Sequence, residues 1–163
     1  LVPQIDDGEA IAVLSGYLDT LSLVERLHRL LLDVIKDEFE RTGRGEVNPV
    51  QALLLFNVGE NEVAAGELKT RGYYQGSNVS YNLKKLVDAG LMHHQRSETD
   101  RRSVRVRLTP RGTQVREAVA DLFRRQAEGL LARGVIGAAA LEEINGTLRR
   151  MERSWAEQIR YIY

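Results

Sequence analysis

Between positions 77 and 85 the chain sets Ser77, Asn78, Tyr81, Lys84 and Lys85 at helical spacing, a row of hydroxyl, amide, phenol and ammonium groups on one face. Such side chains donate to base edges and phosphate oxygens, which is the chemistry of a helix lying in the major groove of DNA. The other face is apolar, with Val79, Leu83, Leu86 and Val87. A merely solvated face would carry more acid than this one, where Asp88 near the helix end is the one carboxylate. No arginine lies on the helix. Base readout therefore leans on Gln75, Ser77, Asn78 and Tyr81, and on DNA shape.

Gly90 stops that helix, and two strands follow, 91–97 and 103–109. The second alternates, with Val104, Val106 and Leu108 inward and Arg105 and Arg107 outward. The tip between them is Glu98-Thr99-Asp100-Arg101-Arg102. A helix followed by a basic hairpin is the arrangement of a winged helix-turn-helix, whose wing reaches a neighbouring groove or phosphate. Arg101 suits a phosphate. Upstream, Lys69 and Arg71 flank the turn that precedes the helix. Tyr73 and Tyr74 beside them could stack, bond phosphate, line a cleft or pack the turn. The set expected to touch DNA is Lys69, Arg71, Tyr73, Gln75, Ser77, Asn78, Tyr81, Asn82, Lys84, Lys85, Asp100, Arg101, Arg102 and Ser103.

Charge is distributed to match. The 163 residues carry 23 cationic and 23 acidic side chains, a net of zero. From Lys69 to Arg111, however, ten basic residues face three acidic ones, so this segment is +7 and the remainder −7. A basic module on an acidic scaffold presents one face to a polyanion.

The flanking elements must hold that module. Apolar residues at Leu21, Val24, Leu27, Leu31, Val34, Ile35 and Phe39 predict a long helix from Leu18 to Phe39, stopped by Thr42-Gly43-Arg44-Gly45. The preceding stretch, 5–17, reads as a loose segment or a short extra helix. Asn48-Pro49 opens a second helix whose run Ala52-Leu53-Leu54-Leu55-Phe56 is apolar all round and so must be covered on several sides. Val63 starts a short strand, and a third helix is expected over 64–70. Pro110 opens a helix to about Arg133 with a stripe of Val115, Val119, Leu122, Phe123, Leu130 and Leu131. Gly134 and Gly137 mark a break. A last helix, from about Ala139 to Tyr163, carries Leu141, Ile144, Leu148, Met151, Trp155, Ile159 and Ile162. The terminal stripes have no evident covering domain, and a second copy of the chain is the economical partner. The expected fold is mainly α with a small β-hairpin wing (α+β): dimerising helices over 1–45 and 111–163 around a DNA-binding domain at 46–110.

Other chemistries find little support. Without cysteine there is no disulfide, thiol sensor or cysteine-bound zinc. His93 and His94 are adjacent on a strand, point to opposite faces and cannot readily chelate one ion, so no metal is expected. No nucleophile elbow, phosphate-cradling glycine loop or catalytic carboxylate pair is present, so neither an enzyme nor a cofactor is expected. The absence of a long apolar run or signal pattern implies a cytoplasmic protein without membrane attachment. Leu1 in place of methionine implies a trimmed or disordered start.

The pattern Leu86, Gly90, Leu91, Arg96, Asp100-Arg101-Arg102, Val106, Leu108-Thr109 and Gly112 resembles the MarR family of bacterial transcriptional regulators. Only this central part carries specific motifs, although the likeness extends from Leu21 onward. Within the family, the run from Thr70 to Asn82 is similar to the LdtR-like alphaproteobacterial subgroup. The resemblance implies a homodimer on a pseudo-palindromic double-stranded operator. It implies Arg102 in the minor groove, oriented by Asp100, where a narrow groove attracts a guanidinium. It also implies a small aromatic or anionic effector in a cleft between the dimer helices and the winged module. The all-round apolar second helix suggests Ile35, Phe39, Leu53 and Phe56 as its lining, residues that read equally well as plain core. His28, Arg29 or Tyr73 would meet its charge. Effector binding would change the spacing of two recognition helices that must match half-sites about 34–36 Å apart. The rival reading is a helical adaptor that binds protein through a winged fold and leaves DNA alone. Salt-sensitive binding to random duplex DNA separates the two.

Overall fold

The computed structural model describes residues 4–59, 62–65, 76–96 and 104–162, leaving aside the side chains of residues 76, 77, 161 and 162. Its contacts divide the chain into two compact units, Leu1–Ala120 and Asp121–Tyr163.

Helix α1 runs without interruption over Asp7–Arg41. This corrects the expected start at Leu18: the stretch 5–17, read as a loose segment or a short extra helix, is helical from Asp7 and continuous with the rest of α1. Gly8 and Gly16 each cost about 1 kcal/mol relative to alanine, but Asp7 and Glu9 in the first turn complement the helix dipole. The intervening alanine, leucine and glutamate favour helix as well. Only the last turns of α1 are sealed, at Ile35 and Phe39.

Helix α2, Pro49–Val58, begins as its sequence dictates. The Asn48 side chain accepts from the Gln51 backbone N–H at 2.8 Å, and the Asn48 N–H donates to the Gln51 side chain at 3.1 Å. Two otherwise orphaned donors are thereby satisfied reciprocally. Ala52, Leu53, Leu54, Leu55 and Val58 are buried. Their all-round apolar character is explained by the neighbours, because α2 packs against α1, the helix α3 (Gly76–Asp88) and the strand β3 (Val104–Leu108).

Three strands form one antiparallel sheet in the order β1-β3-β2, with β1 at Val63–Ala64 and β2 at Met92–Arg96. Met92 pairs with Leu108, His94 with Val106 and Arg96 with Val104, while Val63 pairs with Val106 from the other side. Val106 is buried and Arg105 and Arg107 are exposed, as the alternation predicts. Of the helix expected over 64–70, Ala64 lies in β1, Ala65 is helical and the rest falls outside the described residues.

Helix α4 spans Pro110–Ala132 and α5 spans Ala138–Ile162. Gly134, at φ 71°, ends α4, with its N–H bonded to the Leu131 carbonyl and that of Val135 to Leu130. On α1, Ile11, Leu14, Leu18, Val24 and Leu27 are exposed, as are Leu141, Ile144, Trp155 and Ile159 on α5. No helix among the described residues is long and apolar enough to cross a membrane.

Candidate nucleic-acid interface

The site is built on α3. Val79 and Leu86 are fully buried and fix the helix against α2 and β2, so its other face is turned outward. Asn78, Tyr81, Lys84 and Lys85 are all exposed on that face. The Lys85 ammonium sits 5.4 Å from the centroid of the Tyr81 ring, one helical turn away. At an exposed site this contact is worth about 0.5–1 kcal/mol. It holds a phenol and a cation side by side, one suited to a base edge and the other to a phosphate.

Asn82, expected among the DNA contacts, is corrected. It is only 7% exposed, and its amide donates to the Asn78 carbonyl at 2.8 Å. Its oxygen accepts from the Gln51 side chain at 3.3 Å. A residue four before Leu86 and three after Val79 falls at the apolar edge of the helix, and burial there demands partners that DNA does not provide. Lys69, Arg71, Tyr73, Gln75, Asp100, Arg101, Arg102 and Ser103 lie outside the described residues, as does the Ser77 side chain.

The end of α3 is tied down by the residues that follow the wing. Gly90 takes φ 76°, a conformation that strains a side chain. The Leu91 N–H bonds to the Leu86 carbonyl and the Gly90 N–H to Val87, which satisfies the last turn. Thr109 then does several things at once. Its hydroxyl donates to the Gly90 carbonyl at 2.8 Å and accepts from the Gly112 N–H at 3.1 Å, capping α4. Its own N–H bonds to the Leu91 carbonyl at 3.1 Å. Gly112 lies so close to Leu91 that a Cβ there would run into the Leu91 carbonyl oxygen. The Leu-Thr-x-x-Gly pattern thus has a geometric cause: it docks the start of α4 onto the end of α3.

The effector-lining set falls in two places. Ile35, Phe39 and Leu53 are sealed in the core, at 0%, 1% and 4% exposure. Phe56 is half-buried, and the Arg116 guanidinium of α4 lies 5.9 Å from its ring centroid. His28 is also half-buried on α1. Arg116 was missed in the sequence because its contact spans sixty positions and no local spacing signals it. Gln51 was legible, since Asn-x-x-Gln before an apolar run is a capping signature. Among the described residues no group of three or more histidine, cysteine or acidic side chains could hold a metal.

A buried-faced helix capped by glycine, an antiparallel hairpin and a cationic outer face define a winged-helix DNA-binding module. A family model described as a winged helix DNA-binding domain matches residues 47–112. The exopolysaccharide II synthesis transcriptional activator ExpG of Rhizobium meliloti (strain 1021) is 35% identical over 160 residues, covering 96% of this chain and 80% of the relative. The chain belongs to the MarR family of winged-helix transcriptional regulators. Two solved structures share the fold. A MarR protein from Peptoclostridium difficile has a TM-score of 0.73 at 15% identity, covering 100% of this chain and 97% of that one. FabT of Streptococcus pneumoniae, solved in complex with DNA, has a TM-score of 0.66 at 14% identity, covering 86% and 98%. The protein is a DNA-binding transcriptional regulator of the MarR type.

Proposed function

We propose that the regulator acts in the cytoplasm as an effector-responsive homodimer on a pseudo-palindromic operator, and is not an enzyme. Residues 1–45 and 111–163 make the dimer, and 46–110 hold DNA. Each α3 enters a major groove with Ser77, Asn78, Tyr81, Lys84 and Lys85. The wing brings Arg102 to the minor groove with Asp100 orienting it, and Lys69, Arg71, Tyr73, Gln75, Arg101 and Ser103 contribute further contacts. The observation that carries this reading is the outward Asn78–Tyr81–Lys84–Lys85 face on a helix clamped by Val79, Leu86 and Thr109.

Dimerisation is supported by the exposed apolar residues of α1 and α5, which exceed what scattered surface residues require. The effector is a small aromatic or anionic molecule held near Phe56 and Arg116, with His28 and the α1–α2 core residues Ile35, Phe39 and Leu53 behind it. The likeness to ExpG favours activation of transcription as the output. Selection of bound fragments from a random duplex library tests the reading. Recovery of an inverted repeat with half-sites one helical turn apart is expected. Arg102→Ala should then weaken operator binding more than Arg124→Ala, since Arg124 is engaged with Asp121 and Glu128 on α4. Fragments without a repeat, or equal effects of the two substitutions, would overturn it.

A further inference from the structure

The outer face of the sheet is a second cationic surface. Arg105 and Arg107 lie on the central strand, directly opposite Gln95 and His93 of β2, so four polar side chains share that face. With Glu62 they line a shallow pocket of about 170 Å³. Glu62 precedes β1, and its carboxylate lies 3.6 Å from the Arg105 guanidinium, both side chains about half exposed. No large exposed apolar residue belongs to β2 or β3 among the described residues.

We propose that this ladder is an additional phosphate-binding track for the DNA that flanks the operator, and that Glu62 restrains it. Three observations favour DNA over a protein partner. The face is polar throughout, whereas protein interfaces gather aromatic and aliphatic anchors at their centre. It pairs two arginines with an amide and an imidazole, a donor set suited to phosphate oxygens. Its two arginines are two residues apart on one strand, about 7 Å between Cα atoms, so both long side chains can reach phosphates of the same backbone. In sequence the strand follows directly on residues 97–103, the proposed minor-groove contact.

Glu62 gives the inference its sign. Without DNA, the carboxylate neutralises Arg105. A phosphate at Arg105 must displace it and meets its repulsion. Removing that charge therefore strengthens DNA binding, and does so through Arg105.

The inference rests on DNA binding by the module, so the parent is first titrated with a random-sequence duplex over a range of salt. A parent that fails to bind would overturn DNA binding itself and, with it, the track. Arg105→Gln and Arg107→Gln should each lower the slope of log affinity against log salt by about one. All three side chains are exposed, so these variants keep the core. Glu62→Gln should tighten binding several-fold in the parent and have no more than a marginal effect when Arg105 is already Gln. Trimming the duplex to the selected operator should abolish the difference between parent and arginine variants. Unchanged slopes, or an equal gain from Glu62→Gln in both backgrounds, would overturn the track. So would arginine variants that bind DNA as the parent does yet fail to activate transcription in a purified system, since that outcome assigns the face to an acidic protein.

Discussion

The Gln51 side-chain amide donates to the side-chain oxygen of Asn82 at 3.3 Å, joining the capping box of α2 to the middle of α3. Asn82 passes the connection to the Asn78 carbonyl one turn earlier, beneath a residue of the exposed face. The orientation of α3 is therefore fixed by polar contacts as well as by Val79 and Leu86.

Asn82→Ala should cost about 1–3 kcal/mol, because it strands a partly buried amide on Gln51. Denaturant unfolding measures this. Gln51→Ala should also be destabilising, since it leaves the Asn82 oxygen and the Asn48 N–H without their Gln51 partner, while the N-cap bond from the Gln51 N–H to the Asn48 side chain remains. Both should lower the ratio of operator to random-DNA affinity. A parent-like unfolding midpoint for Asn82→Ala would show the link to be idle.

Gly112→Ala should destabilise the fold by about 1–3 kcal/mol, the range for forced overpacking, because the neighbour of the new Cβ is the Leu91 backbone oxygen and cannot swing away. Thr109→Ala should cost about 1 kcal/mol through loss of the cap, and Thr109→Ser much less. Thermal unfolding of the three variants side by side gives the ranking. Gly112→Ala melting with the parent would contradict the docking described between α3 and α4.

The terminal helices should associate. Sedimentation at micromolar concentration should give a dimer, and replacing Leu141, Ile144 and Ile159 by glutamine should shift the equilibrium toward monomer. Each large apolar side chain fully buried contributes about 1.5–3 kcal/mol. A monodisperse parent monomer would remove the case for the dimer.

Phe56→Ala should desensitise DNA release to the effector, and Arg116→Gln should do so most for anionic effectors. A phenylalanine truncation can cost about 3–5 kcal/mol, so Arg116→Gln is the safer variant. An unchanged effector response in folded variants of both would relocate the binding site.

Asp121 accepts from Arg124 and Arg125, and these bonds hold its carboxyl below the usual aspartate range. A lowered carboxyl stabilises the folded form above its unfolded pKa and loses that contribution as pH falls through the folded value. The protection of α4 amides around Asp121, taken relative to their intrinsic exchange rates at each pH, should therefore fall in acid, and Asp121→Asn should remove that loss of protection. Persistence of the loss in Asp121→Asn would assign it to another group.

The parts of this fold legible in the sequence were those set by local rules. Asn48-Pro49 announced α2, Pro110 announced α4, and the alternation through Val104–Leu108 gave β3 and its faces. The start of α1 was misjudged because Gly8 and Gly16 weaken local propensity there, whereas the helix that continues to Arg41 outweighs them. Asn82 was misassigned because composition cannot distinguish an amide that faces DNA from one that meets another amide thirty-one positions away. Arg116 over Phe56 and Glu62 beside Arg105 were invisible for the same reason, since tertiary folding alone brings such pairs together.

The junction at Thr109 binds almost entirely to main-chain atoms: the carbonyls of Gly90 and Leu91 and the N–H of Gly112. Arg111 adds one more bond of this kind, to the Ala89 carbonyl. None of these partners depends on which side chains α3 presents outward. Anchorage and the proposed DNA-facing chemistry thus reside in different atoms of one helix. Asn78, Tyr81, Lys84 and Lys85 can be exchanged for other residues while the helix keeps its seat, so a new operator preference could be acquired without first solving a new folding problem.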